Sequence, residues 1–183
     1  FDAYNGRIIA TLAATPLAAH AQGSSYFGQN HVQFREFDWR ILKTEHFDVH
    51  YYPELADVAV YTGQMAERTY ARLKSLLNHE FKERKPILIF GSRSEFGQNN
   101  VTGDLGEGTG GVTDALRQRN MFFFAGDLGE AEHVLAHEMV HVFQYDIAAA
   151  ANQNRRRFVL EALPLWIIEG MADGLTNKEI ADR

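Results

Sequence analysis

Two spacings of apolar residues divide the chain into predicted strands and helices. Short runs rich in aromatic and β-branched residues cover 39–44 and 47–52 and predict a two-stranded hairpin. From 55 to 78 the apolar residues recur every three or four positions, which predicts a long amphipathic helix with a supporting role. The apolar run at 86–90 predicts a short buried strand that ends at Gly91.

The second half of the chain predicts another succession of strand and helix. Residues 92–111 are rich in Gly, Asn and Asp and predict a loop, either a mobile one beside a cleft or a plain surface loop. Residues 119–124 predict a strand that leads into a helix over 126–146, whose start at 127–130 resembles a capping box. Pro164 suits the first turn of a further helix. The succession predicts an α+β fold, with a small mixed sheet packed on the helix over 126–146 and further helices C-terminal to it.

The helix over 126–146 contains an H-E-x-x-H pattern formed by His137, Glu138 and His141. Histidines four positions apart lie on one face of a helix, so both imidazoles can reach a single cation. Glu138 follows the first ligand and can reach the open side of a metal, where a base is needed. The alternative is a pair of histidines on an ordinary helix.

The last predicted helix carries Glu169 and Asp173 four positions apart on one face. A tetrahedral catalytic zinc takes three protein ligands and leaves one position open, and His, His and Glu are a known set. We therefore predict Glu169 as the third ligand and Asp173 as the acceptor of a ring N–H from a ligating histidine. Gly170 and Gly174 are expected to let this helix press closely against the metal helix. The alternative is a surface helix with two solvated acids.

Three other residues compete for a place at the metal. Glu161 lies before Pro164 and therefore outside the last helix, and Asp146 is rotated well off the ligand face of its own helix. His133 lies one turn before His137, but a helix that rises about 1.5 Å per residue separates His133 from His141 by about 12 Å. We therefore assign His133 to packing or to the hydrated surface of the helix.

The two segments HEMVHVFQYD and PLWIIEGMADG resemble the gluzincin metallopeptidases, whose pattern is H-E-x-x-H with a downstream E-x-x-x-D. More narrowly, the chain from about 37 to 181 is similar to the bacterial peptidase MA-like domains that often precede a TolB-type β-propeller. The resemblance implies a zincin-like fold and a peptide or protein substrate. It implies Zn²⁺ held by His137, His141 and Glu169, with Glu138 as general base and Asp173 behind the ligands. Gluzincins also use a Tyr or His to stabilise the oxyanion, and we expect that residue beyond Arg183.

The same resemblance assigns a role to the strand at 119–124. In gluzincin-like folds this strand forms the sheet edge above the zinc, where an extended peptide can add as a further strand. Phe122, Phe123 and Phe124 are then candidate substrate-binding residues. The alternative is a core strand whose aromatic side chains only fill volume.

Composition limits the other functions that this chain can have. An apolar content of 45% supports a real core, and a formal charge of −6 leaves no basic footprint for nucleic acid or an anionic membrane. The sequence contains no cysteine, so neither a thiolate zinc site nor a cysteine nucleophile is available.

The N-terminal segment predicts export. Arg7 precedes a short apolar run at 8–19, and an Ala-His-Ala sequence follows, which is the form of a secretory signal at 1–21 cleaved after Ala21. The run is too short to be a stable membrane anchor. The alternative is a buried N-terminal helix. We expect a bacterial protein of the periplasm or the extracellular space.

The predicted mature protein has two parts. Residues 22–36 form an N-terminal extension, and 37–183 form the peptidase MA-like domain, truncated at its C-terminus and with a β-propeller expected after it. The predicted reaction is hydrolysis of a peptide bond by a zinc-activated water, with Glu138 as general base. One alternative is an exported binding module with a silent or structural metal site, and another is a lytic enzyme that cleaves cell-wall amides. The pattern does not separate endopeptidase from exopeptidase action.

Overall fold

The structure is a computed structural model that describes residues 34–99, 109–151 and 163–177. In these ranges the strands are β1 (Arg40–Lys43), β2 (Phe47–Tyr51), β3 (Lys85–Phe90), β4 (Gly111–Asp114) and β5 (Arg119–Phe123). The helices are α1 (Ala56–Leu77), α2 (Arg93–Gly97), α3 (Leu128–Ala151) and α4 (Leu165–Thr176), with a 3-10 turn at Pro53–Leu55. The predicted signal at 1–21, most of the extension at 22–36 and Glu161 lie outside the described residues.

The described strands form one mixed sheet of five strands in the order β1-β2-β3-β5-β4. The central strands β2, β3 and β5 run parallel, whereas β1 and β4 are antiparallel to their neighbours at the two edges. Parallel neighbours need a crossover connection, and α1 provides the one between β2 and β3. The predicted α+β class and the hairpin of the first two strands are confirmed.

The predicted position of strand 119–124 at the sheet edge was wrong. β5 is an inner strand, because Asn120 is paired with Ile87 of β3 on one side and with Thr113 of β4 on the other. Local periodicity identifies a strand but not its neighbours, which depend on the packing of the whole sheet. The edge on this side is β4, a strand that the sequence analysis did not predict.

The helix boundaries follow local sequence signals. α1 ends at Asn78, which adopts a left-handed conformation with φ of 47°, and Asn is one of the few residues that tolerate it. The Asp127 carboxylate caps α3 as predicted, because its Oδ1 accepts from the N–H groups of Gly129 and Glu130 at 2.7 and 3.0 Å. α4 begins directly after Pro164, also as predicted. No helix in the described ranges has the length and the apolar character needed to cross a membrane.

The main core lies between the sheet and the two long helices, α1 and α3. Its fully buried side chains come from all three layers: Phe47, Val49, Ile87, Ile89 and Phe122 from the sheet, Met65 and Leu73 from α1, and Leu135, Met139 and Phe143 from α3. Each such side chain stabilises the fold by about 1.5–3 kcal/mol when it leaves water. The helix that carries the H-E-x-x-H pattern is therefore held in place by the core.

Candidate metal centre

The metal-ligating atoms predicted from the sequence converge at one point between α3 and α4. His137 Nε2 and His141 Nε2 lie 3.2 Å apart. Oε2 of Glu169 lies 3.4 Å from the first of these nitrogens and 3.5 Å from the second. Among the described residues these three form a group able to hold a metal ion, with one ligand atom from each within 4.8 Å of the others. Glu169, the predicted third ligand, therefore lies beside both histidines.

The histidine rings are oriented by partners on their opposite sides. Oδ1 of Asp173 lies 3.2 Å from His137 Nδ1, as predicted for this residue. On the other ligand, His141 Nδ1 lies 2.9 Å from Oε1 of Gln144, a residue that the sequence analysis did not single out. The i, i+3 spacing of His141 and Gln144 on one helix was the signal that could have found it.

Glu138 lies beside the ligand atoms and is almost fully buried, with 8% of its surface exposed. Thr113 Oγ1 donates to Glu138 Oε2 at 2.6 Å and also lies 3.0 Å from the backbone oxygen of the same residue. Burial raises the pKa of Glu138 above its ordinary value, although the Thr113 hydroxyl and the two imidazoles oppose the shift. The raised pKa makes the carboxylate of Glu138 a stronger base than that of an exposed glutamate.

Strand β4 reaches Glu138 because two glycines allow a close approach to α3. A Cβ on Gly111 would lie 2.7 Å from Val134 Cγ1, which is too short for a real contact, and 3.0 Å from Glu138 Cγ, which is tighter than most real contacts. A Cβ on Gly110 would also lie 3.0 Å from Val134. These glycines end the segment 92–111 that the sequence predicted as a loop, so its last residues lie at the site, while 100–108 are outside the described residues.

α4 contacts α3 through other residues than the sequence suggested. The prediction that Gly170 and Gly174 make the close contact was wrong, because a Cβ on either glycine would meet nothing within 4 Å. The fully buried Ala172 packs in the core instead, and Met171 and Leu175 pack against it. Helical periodicity locates the glycines on the helix but not the direction that they face in the fold.

The three predicted aromatic substrate residues differ in burial. Phe122 is fully buried in the core, and Phe123 packs on a second, smaller cluster that contains Phe90, Phe96 and Met121. Phe124 is partly buried against the main core. The alternative reading, a core strand that fills volume, therefore describes Phe122.

The competing metal ligands lie elsewhere. Asp146 faces away from the centre, where its carboxylate contacts His79 Nε2 at 2.7 Å and Lys85 Nζ at 2.5 Å. His133 is exposed on the surface of α3. Both placements agree with the predictions made from helical phase.

A cavity of about 970 Å³ begins one helical turn beyond His141. Its wall includes Tyr145 of α3, Leu165 and Ile168 of α4, and the turn between β4 and β5. Burial raises the pKa of Tyr145, and the nearby carboxylates of Glu138 and Glu169 add to the shift. None of the three candidate ligands lines the cavity, whereas His79, Lys85 and Asp146 do, so the cavity extends from Tyr145 away from the centre.

Comparisons with known proteins add no assignment to this geometry. The sequence matches no protein-family model, and no curated protein matches it either. The function of the centre has to follow from the residues that form it.

Proposed function

We propose that this protein is a zinc metallopeptidase of the gluzincin type, with Zn²⁺ held by His137, His141 and Glu169. The observation that carries the proposal is the convergence of three ligand atoms, 3.2–3.5 Å apart, beside the buried carboxylate of Glu138. Lone pairs that point at one another at such distances repel unless a cation or a proton lies among them. The site therefore has the charge distribution of a cation site.

The separations suit a tetrahedral ion. Bonds of about 2.1 Å at tetrahedral angles place neighbouring ligand atoms about 3.4 Å apart. The donor set of two imidazoles and one carboxylate is typical of catalytic zinc, whereas structural sites are closed by four protein ligands. The group found in the described residues has three members, which supports a catalytic site with one open position.

The roles of the residues follow from their positions. Bound zinc would lower the pKa of a water molecule from about 15.7 to about 7 and polarise the scissile carbonyl. The Thr113 hydroxyl donates to Oε2 of Glu138, and within the described part of the chain Oε1 has no hydrogen-bond partner. Glu138 can therefore accept a proton from the attacking water with this second oxygen and deliver it to the leaving amine.

The substrate would bind along β4 rather than along β5. In the described ranges β4 pairs only with β5, so its outer edge offers backbone groups to an extended peptide. The scissile bond of a peptide on this edge would lie near Glu138, because Thr113 of the same strand contacts that carboxylate. The cavity of about 970 Å³ that Tyr145 and the turn between β4 and β5 line is large enough to receive substrate side chains.

The arrangement of a mixed sheet, an H-E-x-x-H helix and a following E-x-x-x-D helix supports the gluzincin and peptidase MA-like assignment. With that assignment we also propose export by the signal at 1–21 and a β-propeller after the domain. A binding module with a silent metal centre is the second candidate. It is favoured by the exposed apolar start of α4, where Leu165 and Trp166 are 69% and 73% exposed.

The decisive experiment measures hydrolysis and zinc content together. Glu138→Gln should retain zinc and lose about 10²–10⁴-fold in turnover of a fluorogenic peptide library, because it removes only the base. His137→Ala should lose the metal, whereas His133→Ala, a change of an exposed histidine on the same helix, should lose neither metal nor activity. Peptidoglycan fragments offered beside the peptides would distinguish a cell-wall amidase from a peptidase.

Two results would contradict the proposal. Hydrolysis that survives Glu138→Gln would exclude the assigned base. Equal zinc content in the wild type and His137→Ala would exclude the centre itself. Zinc binding without hydrolysis of any peptide would favour the binding module.

A further inference from the structure

Gln144 is buried between α3 and α4, and both the oxygen and the nitrogen of its side-chain amide make polar contacts. Only 7% of its surface is exposed. Its Nε2 donates to the backbone oxygen of Ile168 at 3.1 Å, and its Oε1 lies 2.9 Å from His141 Nδ1. Ile168 directly precedes Glu169, so one side chain contacts both a ligating histidine and the backbone next to the third ligand.

These two contacts determine which ring nitrogen of neutral His141 carries the proton. A backbone oxygen can only accept, so the Gln144 end that faces Ile168 must be the NH₂ group. The amide oxygen then faces His141, and because this oxygen can only accept, Nδ1 must carry the ring proton. Neutral His141 consequently has its lone pair on Nε2, the atom that faces His137 and Glu169.

The contact with Ile168 matters because it holds the first half of α4, which contributes no buried side chain to the core. Ala172 and Thr176 are the buried residues of α4, and its first turn is exposed. Asp173, the partner of the His137 ring, has 73% of its side chain exposed, so solvent weakens its contact with that ring. Among the described residues, Gln144 makes the hydrogen bond between α3 and α4 that is shielded from water.

We propose that Gln144 is a positioning residue of the metal centre. Its amide oxygen selects the metal-binding tautomer of His141, and its amide group holds α4 where Glu169 completes the ligand set. Removal of a partner that orients a ligating histidine typically costs 10–100-fold in metal affinity. The inference rests on the metal site of the proposed function and is independent of hydrolysis.

The test is the affinity of the purified protein for Zn²⁺, measured by competition with a chromophoric chelator. Gln144→Met keeps the size of the side chain and removes both hydrogen bonds, so the affinity should fall about 10–100-fold. Gln144→Glu keeps an acceptor for His141 and loses the donor to Ile168. Its affinity should stay within a few-fold of the wild type, while hydrogen exchange in α4 becomes faster.

The matched control is Gln98→Met, a change outside both ligand helices. Gln98 is also buried, with 3% of its surface exposed. Its amide oxygen accepts from the N–H of Phe34 at 3.2 Å, and its NH₂ group donates to the backbone oxygen of Arg35 at 3.0 Å. This change should destabilise the fold without changing zinc affinity. A loss of zinc affinity in Gln98→Met equal to that in Gln144→Met would show that any buried amide has the same effect and would overturn the proposal.

Other results also decide the matter. Wild-type zinc affinity in Gln144→Met would overturn the positioning role. If Gln144→Met does not fold, Gln144→Glu decides alone, because a tenfold or larger loss of affinity with unchanged hydrogen exchange in α4 would exclude the acceptor role. A wild type that binds zinc but hydrolyses no peptide would end the peptidase proposal and leave this inference intact.

Discussion

The two helices that form the proposed metal centre are held in the fold in different ways. α3 carries two of the proposed ligands and the proposed base, and its apolar side chains, Leu135, Met139 and Phe143, are fully buried in the main core. α4 carries the third proposed ligand and Asp173, yet its first turn is exposed, with Leu165 at 69%. The core therefore fixes His137, Glu138 and His141 more firmly than it fixes Glu169.

This difference separates two requirements of a metal site. The relative position of His137 and His141 depends only on the geometry of one helix, and the core stabilises that helix. The carboxylate of Glu169 has to be brought from a second element, and its position depends on Gln144, on the packing of Ala172 and on the metal itself. We expect the centre to be preorganised on the side of α3 and completed on the side of α4 when metal binds.

The largest expected effect is on the stability of the apo protein. Leu135→Ala removes a fully buried side chain of α3 and should lower the free energy of unfolding by about 2–5 kcal/mol. Leu165→Ala changes an exposed position of α4 and should alter it by less than about 0.5 kcal/mol. Urea denaturation in the presence of a chelator measures both. Equal losses would show that α4 is as much part of the core as α3.

Metal removal should act mainly on α4. Zinc at a hundred times its dissociation constant adds about 2.7 kcal/mol to the free energy of unfolding. Chelation should remove this contribution and accelerate hydrogen exchange in residues 165–176 more than in the buried part of α3. Hydrogen exchange followed by mass spectrometry, with and without Zn²⁺, resolves the two helices. Faster exchange of both to the same extent would contradict the comparison.

Substitutions of Thr113 test the contribution of β4 to the proposed centre. Thr113→Val removes the hydroxyl that donates to Glu138 and keeps the shape of the side chain, so kcat should fall about tenfold, which corresponds to about 1.4 kcal/mol. Thr113→Ser keeps the hydroxyl and should restore most of the rate. KM should change little in either variant, because the hydroxyl contacts the base and not the substrate. Steady-state kinetics on one peptide are sufficient, and a serine variant as slow as the valine variant would exclude the role of the hydroxyl.

The smallest expected effect concerns the pH dependence of the apo protein. Burial raises the folded-state pKa of Glu138 above 4.5, so the folded state binds more protons than the unfolded state in the interval between these two values. The stability associated with this residue is present below pH 4.5 and is lost as the pH rises through the raised pKa. Glu138→Gln should therefore be the more stable protein at neutral pH, and the difference should shrink on acidification. Thermal unfolding of both chelated proteins across pH 4–8 measures it, and a difference that grows on acidification would contradict the sign.

Much of the centre could be predicted because its information is local. The spacing of His137 and His141 specifies one helical face, and the spacing of Glu169 and Asp173 specifies another. Each pair was found where its spacing predicted it. The predictions failed where two elements had to meet: the edge position of β5 was wrong, and the glycines of α4 do not face α3.

The sequence by itself determined the elements other than α2 and β4, the α+β class and the identity of the candidate ligands, because hydrophobic period and residue spacing act within one helix or strand. Only the tertiary structure decided that β4 is the strand above Glu138, that Gly111 permits this approach, and that Gln144 connects the ligand helices. Strand order and helix docking minimise the free energy of the whole core, and residues far apart in the chain contribute to it together. No local pattern records which of these residues will become neighbours.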